Sequence, residues 1–464
     1  MKRYKHILIF WAISLSMAAQ GIHERIGPLL DDALLTTTDA SIAVYDLTDD
    51  TLLFSHRIDK LCRPASTLKL VTAISALRHL GTEYTINTEL RYTGTITPDS
   101  ILCGNLYIVG GFDSEFTSAD MDTLIAAIPK VGIRYITGHV FADVSMTDSV
   151  HWGQGWCWDD APASFQAYYS PLMLEKGCVE VCVTPTKADS TATVVCLPHS
   201  TWYDVINHTT CYNDSAGPLR ITRDWLHGKN TIIVTGSVAE PSTEKLSIYT
   251  SDTHFCALFN ERLLRSGVGV CASCYGTCPD SSTLIAAIQR PISQVVGQAL
   301  KESDNLSAEA LFLHMPTRNK KAAISAYDAS LQIDSLTRII STDTRKLPHK
   351  IVDGSGLSHY NMVSAHLLLD YLCYAYSQPS IYQMLREALP HSGTDGTLKY
   401  RMVRKDMRGR IVAKTGSMTG VSTLAGYATQ KNGHVLAFVI MNQNVVKLSQ
   451  ARTWQDKLCK VLCE

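Results

Sequence analysis

The segment Pro64-Ala-Ser-Thr-Leu-Lys-Leu-Val-Thr-Ala-Ile-Ser-Ala-Leu77 places a serine and a lysine at the start of an apolar repeat. The apolar residues recur at the spacing of a helix that buries one face, at Leu68, Val71, Ile74 and Leu77. The repeat predicts a helix that is entered just before Ser66. Positions i and i+3 are neighbours on a helix, so the amine of Lys69 can reach the hydroxyl of Ser66 and accept its proton.

A second Ser-x-x-Lys sequence occurs at Ser242-Thr-Glu-Lys245, so the spacing alone is a weak signal. This copy runs into the alternating stretch Leu246-Ser-Ile-Tyr-Thr250, which predicts a strand. Only the first copy is therefore expected to bring its serine and lysine together on one face.

A lysine that accepts a proton at neutral pH needs a pKa below its ordinary value of about 10.4. Burial and a neighbouring cation both lower the pKa of an amine, because both disfavour its charged form. Lys414 is the candidate for a second cation beside Lys69.

Two further short sequences occur once each, Ser303-Asp-Asn305 and Lys414-Thr-Gly416. Ser303 and Asn305 also suit a capped helix start after the amphipathic run 292–300. The Lys414 motif also suits an ordinary strand end, which is the favoured interpretation when it is taken alone. The order Ser-x-x-Lys, Ser-x-Asn, Lys-Thr-Gly along one chain favours a shared site instead.

This ordered set resembles the motifs of the penicillin-recognising serine D,D-peptidases. More than two hundred residues separate Lys69 from Ser303, where most members of that superfamily have only a short helical segment. The insertion makes the chain similar to the class C low-molecular-mass penicillin-binding proteins, the D-alanyl-D-alanine carboxypeptidases and endopeptidases of the penicillin-binding protein 4 type. Other stretches resemble signatures of that group, namely Gly155-Trp-Cys-Trp-Asp-Asp160, Asp353-Gly-Ser-Gly-Leu-Ser358 and Gly393-Thr-Asp-Gly-Thr-Leu398. The glycine-rich turn of the group departs mildly, as Gly110-Gly-Phe-Asp113.

The resemblance implies a catalytic role for three residues. Ser66 is the nucleophile, Lys69 takes its proton, and Ser303 passes a proton to the leaving nitrogen. Asn305 orients the substrate amide. Either Lys69 or Ser303 activates the water that clears the acyl enzyme, and the sequence leaves both open.

The Lys-Thr-Gly segment is expected to bind the substrate. Lys414 and the hydroxyl of Thr415 can hold a terminal carboxylate by charge-assisted hydrogen bonds. Gly416 lets a substrate backbone lie close and pair as an added strand. By resemblance, the backbone N–H groups of Ser66 and Ser417 form the oxyanion hole. No metal or cofactor is expected.

The first 20 residues carry the pattern of a cleaved export signal. Basic residues at Lys2, Arg3 and Lys5 precede an apolar run, 7–13, and small residues follow at Ala18 and Ala19. An uncleaved membrane anchor is the rival interpretation, but the apolar run is shorter than the roughly 20 residues of a spanning helix. We expect a periplasmic protein with no stable membrane span.

Charge excludes one class of partner. The formal net charge is -1, and acidic and basic residues are mixed rather than blocked, so nothing indicates nucleic-acid binding. The expected partners are peptidoglycan stem peptides, with β-lactam antibiotics as covalent inhibitors. The oligomeric state stays open.

The expected fold is an α/β transpeptidase-like domain built from 21–85 and 284–464. Both chain ends contribute to its antiparallel sheet, through hairpins near 41–55 and 423–440 and a last helix near 449–462. A mostly β insertion, 86–283, interrupts this domain and is expected to form two subdomains. These are about 86–112 with 170–283, and 113–169, with one helix near 119–128.

Fourteen cysteines leave the pairing pattern open. The cluster Cys271-x2-Cys274-x3-Cys278 is the best metal candidate, but a local disulfide is favoured over a metal in an exported protein. Cys178 and Cys182 share one strand face and are read as packing residues.

Aromatic residues cluster in the insertion, at Trp152, Trp156, Trp158, Tyr168 and Tyr169. With Asp159 and Asp160 they suit either a grip on a stem peptide or a subdomain core, and the core is favoured. Asp353 and Asp395 are read as turn residues, and His359 and His391 as structural.

The leading hypothesis is a periplasmic serine D,D-carboxypeptidase, with D,D-endopeptidase activity on cross-links as an extension. One alternative is a β-lactamase or esterase on the same scaffold, which the long insertion disfavours. Another is a penicillin-binding wall sensor that is acylated without turnover, which the intact Ser303 and Lys69 disfavour.

Overall fold

The computed structural model describes residues 21–341 and 348–464. The expected export signal, 1–20, lies outside the described residues. Within the described ranges, no helix has both the length and the apolar character that crossing a bilayer requires.

Helices and strands occur in both parts of the chain. The helices are α1 Leu68–Leu80, α2 Ser118–Ala127, α3 Ser251–Arg265, α4 Ile292–Lys301, α5 Asn305–His314, α6 Ala326–Ile340, α7 Ala365–Ser377, α8 Pro379–Ala388 and α9 Leu448–Leu462. The first eight strands are β1 Asp39–Asp46, β2 Thr51–His56, β3 Thr85–Ile96, β4 Ile101–Val109, β5 Tyr135–Asp143, β6 Cys178–Thr184, β7 Thr193–Leu197 and β8 Val205–Cys211. The others are β9 Arg220–Arg223, β10 Ile232–Val238, β11 Ser242–Ser247, β12 Gly269–Tyr275, β13 Thr283–Pro291, β14 Ile411–Met418, β15 Gly420–Thr429 and β16 Val435–Val445.

An antiparallel sheet of order β14-β15-β16-β1-β2 unites the two ends of the chain. Strand β1 pairs along its whole length with β16, from Asp39 opposite Gln443 to Asp46 opposite Leu436. Helix α9 packs against β15 and β16, and α7 packs against β1 and β16. The predicted α/β class and both predicted hairpins are confirmed.

The first and the last strand of the insertion pair with each other. Strand β3 follows α1, strand β13 precedes α4, and the two strands pair antiparallel with Thr85 opposite Pro291. Since β13 runs to Pro291, the insertion ends at about 291 rather than at 283. Its entry and exit therefore lie beside the helices that carry the first two motifs.

The predicted division into subdomains is wrong. Strand β5, from the expected 113–169 unit, lies in one sheet with β3 and β4 of the other unit, in the order β12-β5-β4-β3-β13. The reason is that β4 and β5 are parallel, and a parallel pair needs a crossover, which α2 supplies. Strands β6 to β11 form two separate three-stranded sheets. The outer bounds, 21–85 and 284–464, stay a prediction apart from the shift at β13.

The second Ser-x-x-Lys copy lies within β11, which ends at Ser247, so the strand begins earlier and ends earlier than the predicted stretch 246–250. The side chain of Lys245 is 64% exposed. Cys274 and Cys278 are both unpaired, so the local disulfide favoured from the sequence is not formed between these two.

Candidate active site

A tight 3-10 turn, Ala65–Thr67, carries Ser66 and leads into helix α1. Ala65 has φ +47, and the backbone of Gly356 presses against its carbonyl, where a Cβ would lie 2.0 Å from the oxygen. On the first turn of the helix, Nζ of Lys69 donates a hydrogen bond to Oγ of Ser66 at 2.8 Å. The structure thus brings this predicted pair together.

Lys69 is buried, with 1% of its surface exposed. Its Nζ also donates to Oδ1 of Asn305 at 2.6 Å and to the carbonyl of Ser355 at 2.8 Å. Burial lowers the pKa of Lys69 to about 8, against the opposing effect of nearby carboxylates, chiefly Asp353. Burial, rather than a second cation, is therefore the main cause of the shift.

Lys414 on β14 is completely buried and faces Ser303. Its Nζ donates to Oγ of Ser303 at 2.8 Å and to the carbonyl of Thr415 at 2.8 Å. Burial and the charge of Lys69 lower the pKa of Lys414 well below its ordinary value. Ser303 is thus hydrogen-bonded to Lys414, whereas Asn305 is hydrogen-bonded to Lys69.

The Ser303-Asp-Asn305 segment forms the break between α4 and α5. Ser303 has φ +62, in the left-handed region, which turns the chain between the two helices. The N-cap of α5 is Asp304, whose side chain accepts from the N–H of Ser307 at 2.7 Å. The capping alternative therefore applies to Asp304 and leaves the side chains of Ser303 and Asn305 directed at the two lysines.

Gly416 brings β14 against the turn that carries Ser66. A Cβ at this position would lie 2.1 Å from Oγ1 of Thr423 and 3.0 Å from the backbone N of Ser66. The hydroxyl of Thr415 donates to Thr397 at 2.8 Å, and Ser417 is exposed. Only glycine allows this approach of strand to turn.

Two buried carboxylates hold the loop Asp353–Ser358, namely Asp353, which was predicted to be a turn residue, and Glu309, which was not predicted. Oδ1 of Asp353 accepts from the N–H of Gly356 at 2.9 Å, and Oδ2 accepts from the N–H of Ser358 at 2.7 Å. Oε1 of Glu309 accepts from the N–H of Ser355 at 2.9 Å. These bonds turn the carbonyl of Ser355 toward Lys69, so Asp353 does more than close a turn.

Glu309 was detectable in principle. It follows Asn305 by four residues on α5, which places both side chains on one helix face. Burial and the adjacent Asp353 raise the pKa of Glu309 to about 8. The sequence analysis did not predict a role for Glu309, because a single acidic residue in an apolar helix is not part of a recognisable motif.

The insertion contributes directly to this region. Nε1 of Trp156 donates to Asp353 at 2.9 Å, and Nδ2 of Asn305 donates to the carbonyl of Phe165 at 2.8 Å. Lys176 lies 3.3 Å from Asp304. The insertion therefore contacts two of the segments that frame Ser66.

The aromatic cluster divides into two parts. Trp156 and Tyr169 are buried, as the core interpretation predicts, but they lie in the apolar core that contains α1 and α5 and not in a core of the insertion alone. Trp158 is 67% exposed and packs against Trp225, so the core interpretation is wrong for it.

Three residues that the sequence analysis left in turn or structural roles, Asp395, His391 and His359, make hydrogen bonds or ion pairs with their neighbours. Asp395 pairs with Lys301 at 2.9 Å and accepts from the N–H of His391 at 2.8 Å. Burial lowers the pKa of His391. The carbonyl of His359 accepts from Arg63 at 3.2 Å.

Comparison with known proteins relates this chain to D-Ala-D-Ala carboxypeptidases. The model of the D-Ala-D-Ala carboxypeptidase 3 (S13) family matches residues 22–464. A D-alanyl-D-alanine carboxypeptidase from Actinomadura sp. (strain R39) is 30% identical over 441 residues, covering 91% of this chain and 80% of the relative. The D-alanyl-D-alanine carboxypeptidase DacB of Haemophilus influenzae is 26% identical over 384 residues, covering 81% of this chain and 79% of the relative.

The fold is also that of a solved protein. The crystal structure of penicillin binding protein 4 from Haemophilus influenzae has a TM-score of 0.79 at 24% identity, covering 93% of this chain and 97% of that one. The same protein in complex with a β-lactam has a TM-score of 0.74 at 22% identity, covering 94% and 98%. With the family model spanning nearly the whole length, the chain belongs to the D-Ala-D-Ala carboxypeptidase 3 (S13) family and is a serine peptidase.

Proposed function

We propose that Ser66 is the nucleophile of this D-Ala-D-Ala carboxypeptidase and that Lys69 is its base. The observation that carries the proposal is the 2.8 Å hydrogen bond between Nζ of Lys69 and Oγ of Ser66. Because the pKa of Lys69 is lowered to about 8, a useful fraction of the amine is neutral near pH 7.

Acylation begins when Oγ of Ser66 attacks the carbonyl carbon of the penultimate D-alanine. The hydroxyl proton moves to Lys69, and the carbonyl oxygen becomes an oxyanion held by the backbone N–H groups of Ser66 and Ser417. One such donor is worth about 3 kcal/mol in other enzymes. The close approach enforced by Gly416 supports this arrangement, since it keeps β14 beside the N–H of Ser66.

The scissile C–N bond then breaks, and the leaving nitrogen needs a proton. Ser303 supplies it and recovers the proton that Lys69 took from Ser66, while the hydrogen bond from Lys414 keeps the Ser303 hydroxyl in position. Water completes the reaction by hydrolysing the Ser66 ester. Asn305 lies against Lys69, where its amide can orient the acyl group after exchange of its own hydrogen bonds.

The substrate binds as an added strand. Strand β14 is the edge of its sheet, and within the described residues its outer side carries one isolated backbone bridge, from His391 to Val412. The segment from Lys414 to Ser417 is left to pair with an extended peptide. The exposed end at Ser417 leaves room for a longer leaving group, which favours cross-link cleavage as a second activity.

The proposed setting is the periplasm, with peptidoglycan stem peptides as substrates and β-lactams as covalent inhibitors. The cell-wall substrate class follows from the family, and the expected export signal would deliver the protein to it.

Mass spectrometry of the protein after incubation with penicillin tests the assignment. The native chain is expected to gain one stable adduct on Ser66, and Ser66→Ala none. The matched control is Ser242→Ala, which alters the second Ser-x-x-Lys copy and should leave the adduct unchanged. Rapid release of hydrolysed drug would favour the β-lactamase alternative, and a stable adduct without cleavage of muropeptides would favour the sensor. An adduct that survives Ser66→Ala refutes the proposal.

A further inference from the structure

A cavity of about 540 Å³ lies where the insertion meets helices α5 and α6. The insertion contributes Tyr169 and residues between 147 and 156 to its walls, and the opposite wall contains Leu313 near the end of α5 and the start of α6. This volume is in the range of small-molecule sites in proteins. Among the described residues, none from the three motifs lines the cavity, so it is distinct from the space around Ser66.

The cavity combines aromatic rings with polar groups. Trp152 and Trp156 come from the insertion, with their ring centroids 5.5 Å apart, and Tyr327 comes from the first turn of α6 and is 70% exposed. Asp148 and Gln154 add a carboxylate and an amide to the lining. A sugar presents C–H groups on its face and hydroxyl or amide groups at its edge, so a flat aromatic wall beside a few polar groups suits it.

Two donors in the cavity wall are unused. Within residues 21–341 and 348–464, the hydroxyl of Tyr169 and Nε1 of Trp152 have no hydrogen-bond partner, although Tyr169 is only 5% exposed. By contrast, Nε1 of Trp156 donates to Asp353. A largely buried donor without a partner is costly, so a ligand that brings an acceptor is favoured. The carbonyl oxygen of an N-acetyl sugar is such an acceptor.

The cavity lies at the distance from Ser66 that a stem peptide spans. Helix α5 begins at Asn305, which is hydrogen-bonded to Lys69, and it reaches the cavity at Leu313. These two helix positions are about 12 Å apart along the axis. An extended stem of about three to four residues covers about 10–14 Å. With the scissile end at Ser66, the sugar that carries the stem can therefore reach the cavity.

We propose that this cavity binds a sugar unit of the glycan strand to which the stem peptide is attached. The inference rests on the proposed function, because that function brings a stem peptide to Ser66. The sugar ring stacks on Tyr327 and Trp152, its N-acetyl carbonyl accepts from the hydroxyl of Tyr169, and Asp148 accepts from a sugar hydroxyl. The insertion thereby makes the protein prefer stems that are still attached to glycan over free peptides.

The test compares two substrates with the same stem, a disaccharide pentapeptide and the pentapeptide without its sugars. The native protein should have the higher kcat/KM on the disaccharide pentapeptide. For Tyr327→Ala we expect this value to fall about 3- to 10-fold, the usual effect of one lost aromatic contact, with less than about a twofold change on the free pentapeptide. Tyr327→Phe keeps the ring and should keep the native preference.

The matched control is Tyr212→Ala, which removes an exposed aromatic ring of the insertion that does not line the cavity. It should leave both substrates unaffected.

Binding of the disaccharide alone gives a second readout that does not depend on catalysis. In saturation-transfer NMR, the peptide-free disaccharide of N-acetylglucosamine and N-acetylmuramic acid should bind the native protein and Ser66→Ala equally, and Tyr327→Ala more weakly. Equal kcat/KM of the native protein on both substrates, or no binding of the disaccharide, would overturn the proposal. Equal losses on both substrates in Tyr327→Ala would also overturn it, because the cavity would then act on the peptide. Failure of the proposed function is a separate result, since it requires a penicillin adduct that survives Ser66→Ala.

Discussion

The rate at which Ser66 is acylated should depend on pH through the neutral fraction of Lys69. With a pKa of about 8, Lys69 is about one tenth neutral at pH 7 and about nine tenths neutral at pH 9. The acylation rate constant should therefore rise about tenfold between these pH values and then level off. The sign follows from the mechanism, because only the neutral amine can accept the Ser66 proton.

An ordinary lysine would give a different profile. With a pKa of about 10.4, the rate would rise about tenfold for each pH unit through pH 9 and reach no plateau there. Stopped-flow measurement of acylation by a fluorescent penicillin between pH 6 and 10, with the adduct mapped to Ser66, distinguishes the two profiles. The charged groups that act on Lys69 are the neighbouring Lys414 and the carboxylates Asp353, Glu309 and Asp304.

The variant Lys69→Arg isolates the proton-accepting role. Arginine keeps a positive charge near Ser66 but does not lose its proton below about pH 12, so acylation should be nearly absent throughout the range. Circular dichroism and thermal unfolding check that the variant folds. A native profile that is flat from pH 6 to 9, or one that still climbs tenfold per unit at pH 9, would refute the assignment of Lys69 as a base with a pKa of about 8.

Two further substitutions test how the site is held. Gly416→Ala would place a Cβ 2.1 Å from Oγ1 of Thr423 and 3.0 Å from the N of Ser66, so β14 must move away; we expect acylation by penicillin to fall about 100-fold or more. Retention of the native rate would contradict the oxyanion arrangement. Trp156→Phe keeps an aromatic ring but removes the donor to buried Asp353, and urea unfolding should show a loss of about 1–3 kcal/mol. An unchanged unfolding midpoint would mean that this hydrogen bond does not stabilise the loop.

Local patterns predicted the parts of the fold that depend on neighbours in sequence. The repeat after Pro64 predicted α1, and the hairpin expected near 423–440 is the one that β15 and β16 form through the turn at Asn432 and Gly433. In each case a period or a turn residue fixes the backbone without help from distant residues. The three motifs predicted the candidate site because each supplies reactive side chains that α1, the α4–α5 break and β14 bring to one place.

Long-range pairing was beyond this kind of inference. Nothing local to β5 indicates that it lies between β4 and β12, so the subdomain boundary was misplaced. Contacts made by backbone groups could not be predicted either. The carbonyls of Ser355 and Phe165 accept hydrogen bonds because of where they lie, and not because of their residue type. Asp353 was read as a turn residue for the same reason, since its partners are mostly N–H groups of its own loop.

The position of the insertion explains why its contacts with the loop Asp353–Ser358 and with Asn305 lie at the candidate site. Its two connecting strands pair with each other directly after α1 and directly before α4, so it is attached at the elements that carry Ser66 and Ser303. Trp156 then reaches Asp353, which holds the loop whose carbonyl accepts from Lys69. Burial of Lys69 lowers its pKa, and that burial depends on a loop that the insertion helps to fix. The insertion therefore influences the protonation of Lys69 as well as the shape of the surface around it.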